Sequence, residues 1–167
     1  MIASTILNAA SVLVRWIPIR FTVVHEYEQG VRWWKGRATK LISSPSVYIY
    51  VPWIGDITTE TVTPQEIETN LQVIDDPNGK PRSISVGIQY SIVNLLLYET
   101  KVSNFDDSLL NLVERLACKA IQSGEKDPLP ALKKEVRSQC REWGVKVHRL
   151  GFVNNAHVRP IHLLQSD

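Results

Sequence analysis

The chain has 167 residues, with 44% hydrophobic and 22% charged side chains and a formal net charge of +2. This ordinary globular composition excludes disorder, a collagen-like repeat, a disulfide scaffold and a strongly basic nucleic-acid binder. The length suits one domain, able to bury roughly 70% of the surface its unfolded chain exposes.

Residues 1–14 carry no charged side chain, and Arg15 ends the run. Ile2, Ile6, Ala9, Ala10, Leu13 and Ile17 share one helical face, and Ser4, Asn8, Ser11 and Arg15 the other. The segment falls short of the about 20 apolar residues that span a bilayer, and it lacks the basic start of a secretory signal. Trp16 and Arg20 sit where an interfacial ring and a snorkelling cation are useful, and Pro18 ends the helix. Three roles fit: a shallow membrane anchor, a helix packed between subunits, or one docked on its own domain. Residues 1–40 hold Arg15, Arg20, Arg32, Lys35, Arg37 and Lys40 against Glu26 and Glu28. That excess suits an anionic lipid surface or a solvated basic edge.

After Pro18 the period changes to two. Ile19, Phe21, Val23, His25 and Tyr27 alternate with Arg20, Thr22 and Glu26, interrupted by Val24. Gln29-Gly30 reads as a turn and Val31 to Lys35 as a second strand. Pro45, Pro52 and Gly55 divide residues 41–62 into short extended pieces. Ile67, Thr69, Leu71 and Val73 alternate with polar residues, and Asp75-Asp76-Pro77-Asn78-Gly79 supplies a turn. The return strand carries Ile84, Val86, Ile88, Tyr90 and Ile92 on one face, which predicts a half-buried antiparallel pair. Leu109, Val113, Leu116, Ala117, Ala120 and Ile121 then predict a helix, with Asp106 or Asp107 at its cap and Gly124 at its end. Leu129, Leu132, Val136, Cys140 and Trp143 predict a second helix, stopped by Gly144. Val145 to Leu150 reads as a returning strand.

The expected fold class is therefore α+β. A mainly antiparallel, twisted sheet is packed by two amphipathic helices and preceded by a short N-terminal amphipathic helix. The expected division is residues 1–17 for that helix, 18–155 for the domain and 156–167 for a tail.

The order of motifs resembles the SPFH, or band 7, domain of the stomatin, prohibitin and flotillin group. Glu28-Gln-Gly-Val-Arg32, Gly36-Arg37, then Leu41, Pro45, Tyr48 and Pro52 look like the opening of that domain. Ser83-Ile-Ser-Val-Gly-Ile-Gln-Tyr-Ser-Ile-Val-Asn94 is similar to its central strand. Tyr98 and Val102-Ser-Asn-Phe105 resemble the piece that follows, and Trp143-Gly-Val-Lys-Val147 its late helix-to-strand junction. The resemblance covers roughly residues 20–153. It departs at Ser46, where the family usually has glycine. The sequence also ends at Asp167 without the long coiled coil of many relatives, so lateral packing of domains is expected in place of a closed cage.

No reaction chemistry stands out. His25, His148, His157 and His162 lack metal-ligand spacing, and Cys118 and Cys140 form no Cys-x-x-Cys pair. The serines lack a nucleophile-elbow pattern, and there is no glycine-rich phosphate loop. No metal, cofactor, nucleic acid or enzymatic activity is expected. Trp33 and Trp34 are adjacent and should face opposite ways in a strand. Trp53 suits either a loop dipping into lipid headgroups or a plug beneath the sheet.

The resemblance implies a non-catalytic, membrane-associated scaffold that self-associates laterally and organises membrane or regulates a membrane protein, its domain on the cytoplasmic side. The alternative is a structural subunit of a soluble or viral (phage) ring with the N-terminal helix between subunits. Expected membrane or subunit contacts are Ile2, Ile6, Leu13, Arg15, Trp16, Ile17, Arg20 and Trp53.

Overall fold

The computed structural model describes residues 19–124 and 127–158. The expected N-terminal helix, with Ile2, Ile6, Leu13, Arg15, Trp16 and Ile17, lies outside the described residues, as does the chain beyond residue 158. Two compact units divide the chain, Met1–Val62 and Thr63–Asp167.

The described residues of the first unit form only strands: β1 (Arg20–Val24), β2 (Glu28–Trp34), β3 (Arg37–Ile42), β4 (Ser46–Tyr50) and β5 (Gly55–Thr61). Strands β1 and β4 form a two-stranded antiparallel sheet, and β3-β2-β5 a three-stranded one. A small core of Val24, Ile42 and Ile57 is joined by Tyr48 and Tyr50. Val24, the residue that interrupts the β1 alternation, is fully buried, while Phe21 and Val23 face solvent. The turn expected at Gln29-Gly30 lies instead at Glu26-Tyr27. Gly30 sits inside β2, where an added Cβ would meet Ile42 Cβ at 3.3 Å and Val24 Cγ2 at 3.5 Å. Glycine serves close packing there, not chain reversal.

The second unit is built on β8 (Pro81–Ile92). β6 (Gln65–Glu68) and β7 (Gln72–Asp75) pair in succession along one edge of β8, and β9 (Val145–His157) runs along the other. All pairings are antiparallel, as an α+β fold requires. β9 continues past Leu150, the expected strand end, to His157. Ile84, Val86, Ile88 and Tyr90 of β8 belong to one core with α2 (Phe105–Gln122) and α3 (Leu129–Glu142). Each helix contributes its apolar stripe: Leu109, Val113 and Leu116 from α2, and Leu132, Val136 and Cys140 from α3. The α2 cap position is Asn104. Asp106 and Asp107 lie in the first turn, where their charge suits the helix dipole.

A third, two-turn helix, α1 (Leu95–Lys101), was not expected. Its consecutive Leu95-Leu96-Leu97 shows no helical period. Asn94 Oδ1 starts it by accepting from Leu97 N at 3.3 Å. Phe105 anchors the corner, with ring centroids 4.9 Å from Tyr98, 5.1 Å from Tyr90 and, edge-on, 5.9 Å from Trp143.

Gly144 ties this corner to the start of β9. Its carbonyl accepts from both Val93 N and Asn94 N at 2.9 Å. Its φ is +78°, and an added Cβ would press on the Asn94 carbonyl and lie 2.9 Å from Leu97 Cβ. Gly144→Ala should therefore cost more than about 2 kcal/mol in chemical denaturation, since left-handed strain and a backbone clash add. Burial pushes the Cys140 thiol up to about 12. Cys118, only partly buried, is raised by desolvation and then by Glu114. Thiol labelling of the folded protein at mildly alkaline pH should modify Cys118 slowly and spare Cys140 until denaturant is added.

Candidate functional site

In the β1–β4 sheet, Thr22, Val24, Tyr48 and Tyr50 alternate with Phe21, Val23, Val47 and Ile49. Val24, Tyr48 and Tyr50 take part in the small core, leaving the other series to solvent. Phe21 lies opposite Ile49, and Val23 opposite Val47. Direct cross-strand neighbours on one face touch, so the four side chains form one apolar patch. Phe21 is 74% exposed and Ile49 72%. Ile19, just before β1, is exposed too. A patch of clustered apolar side chains on a soluble surface marks a contact site more often than scattered ones do.

The loop after β4 adds aromatic surface. Val51 O accepts from Ile54 N and Gly55 N, both at 3.1 Å, and this turn carries Trp53 outward. Trp53 is 77% exposed, so it is not a plug beneath the sheet. It borders a cleft of about 380 Å³ with Trp33, Lys35, Pro52, Asp56 and Thr58. Trp33 is partly buried and donates from Nε1 to Thr58 Oγ1 at 3.0 Å. Trp34 is more exposed, and the Arg32 guanidinium lies 5.5 Å from its ring centroid. Arg20 is exposed at the start of β1, opposite Tyr50.

Of the sequence-predicted contacts, the described residues thus include Arg20 and Trp53, both on the surface of the first unit. Sequence reading missed Phe21, Val23, Val47 and Ile49 as a site. Their alternation was visible, but apolar or aromatic residues occupy both faces of these strands, so period alone could not say which face is core.

Among the described residues, no group of three or more His, Cys, Asp or Glu side chains is placed to hold a metal ion. Ser91 Oγ lies 2.8 Å from His148 Nε2 in an exposed contact. A solvated hydroxyl–imidazole pair is not an activated nucleophile, which needs an oriented base. No helix among the described residues is long and apolar enough to cross a membrane. Because Trp53 carries little packing, Trp53→Ser should leave stability within about 0.5 kcal/mol of the parent in a denaturant titration.

No curated protein sequence matches the chain. A family model described as SPFH domain / Band 7 family matches residues 22–160. That family is generally one of membrane-associated, oligomerising scaffolds and not of enzymes. The match takes in all but the first two residues of β1–β5 and the whole of β6 to β9, and the chain belongs to the SPFH domain / Band 7 family.

Proposed function

We propose that this chain is a non-catalytic scaffold that lies on a membrane and self-associates there, organising a membrane patch or regulating a membrane protein, with its domain on the cytoplasmic side. The observation that carries the reading is the apolar β1–β4 face of Phe21, Val23, Val47 and Ile49. It sits directly after the amphipathic N-terminal segment in the chain. A segment lying in the interface would hold β1 within a few residues of the headgroups. Trp53 on the neighbouring loop suits the same boundary, where one end of an indole is apolar and the other wet. Arg20, at the start of β1, can extend toward anionic headgroups. Several weak contacts per copy, multiplied by self-association, would give durable attachment. Multivalent binding of this kind needs no reacting group.

Flotation of the full-length chain with phosphatidylcholine–phosphatidylserine vesicles tests the reading. The parent should float. Phe21→Ser with Ile49→Ser should lower the partition at least about tenfold, since each exposed side chain is worth over 1 kcal/mol on burial in an apolar phase. Stability should be nearly unchanged, because both residues are already solvated. Deleting residues 1–17 should weaken binding independently. A parent that stays with the soluble fraction, or a double variant that floats as well as the parent, overturns the reading. A defined ring formed without lipid would favour the soluble or viral assembly instead.

A further inference from the structure

The two edges of the β8-centred sheet carry opposite charge. Residues 63–79, which include β6 and β7, hold Glu66, Glu68, Asp75 and Asp76 and no lysine or arginine. Residues 144–158, which include β9, hold Lys146 and Arg149, with His148 and His157, and no acidic residue. Each of β6, β7 and β9 has β8 as its strand partner, so the outer edges of the sheet border no further strand among the described residues. β9 is thirteen residues long, unusually long for an edge strand. Beside its first residues runs an open groove of about 630 Å³, with Val93 and Leu97 in its lining and Arg137 and Arg141 contributing two more cations. Lys146, Arg149, Glu66 and Asp75 are exposed.

We propose that the β9 edge of one copy docks against the β6–β7 edge of a second copy. This is a head-to-tail contact in which the cations of β9 and α3 meet the carboxylates of β6 and β7. The proposal rests on the self-association put forward above and names the surfaces that carry it. The occupant follows from the charges, since the complement of each edge is the other edge of the same sheet. Such a contact is heterologous. Each copy keeps one edge of each kind free, so association continues until it closes as a ring or runs on as a filament. The β-bulges in the β8–β9 pairing leave His148 and Val153 as the extra residues of β9. They add local twist to this edge, which favours a curved row over a flat stack.

The test is a charge swap in the full-length chain, read by analytical ultracentrifugation with and without vesicles. One variant carries Lys146→Glu and Arg149→Glu, and the other Glu66→Lys and Asp75→Lys. Each alone loses the charge complementarity between its two edges and should self-associate at least about tenfold more weakly than the parent. Mixed in equal amounts, they should recover parent-like assembly as an alternating array, and added salt should weaken it. Circular dichroism of each variant checks that it is folded. Parent-like assembly by either variant alone, or failure of folded variants to recover on mixing, overturns the edge contact while leaving the scaffold reading intact. A parent that stays monomeric with and without vesicles overturns self-association itself.

Discussion

Burial of β8 is the constraint on which the second unit depends. Its helix-facing side chains Ile84, Val86, Ile88 and Tyr90 are almost wholly removed from water. Tyr90 also carries a hydroxyl into that core, which must be paired or cost a few kcal/mol. It donates to Asp106 Oδ1 at 2.8 Å, at the start of α2, and lies 3.1 Å from Gln65 Oε1 on β6. One phenol thus joins the central strand, an edge strand and a helix terminus. Neighbouring β8 residues on the other face are small. Ser85 donates to Glu68 at 2.8 Å, and an added Cβ on Gly87 would meet Val153 at 2.9 Å.

This arrangement has a consequence for what the surface can do. β8 uses both of its own edges, so the sheet ends on strands that did not need to be apolar. Acidic residues on one side and basic residues on the other cost the core nothing. In the first unit the limit is different. A two-stranded sheet has one face to give to a core, and the small Val24–Ile42–Ile57 cluster takes it. The opposite face keeps its apolar side chains exposed among the described residues. Such a face is maintained in water at a cost in solubility.

The charged groups are mostly solvated, and the Lys119–Glu135 pair at 3.7 Å is exposed on both sides. Pairs of that kind contribute little to stability.

The sequence by itself determined the class of the fold. The run expected at Ile67–Val73 splits into β6 and β7 and leaves Leu71 and Val73 exposed. The period-two run at Ile84–Ile92, the Asp75–Gly79 turn, and the stripes of α2 and α3 are local signals. Each reflects the geometry of a single element, so each was legible, as was the helix stop at Gly144. The motif order carried the family in the same way. Tertiary structure decided what no local period contains. It placed Gly30 inside a strand, because the need for close packing on Ile42 comes from a distant residue. It made α1 a helix, because Asn94 and the Gly144 carbonyl hold a leucine run that has no period of its own. It put Trp53 on the surface. It also chose which side of β1 and β4 is buried, and so which side forms the candidate site, because that choice depends on which partner strand lies beneath. Function at such a surface comes from faces left over after packing, and only the packed chain shows which faces those are.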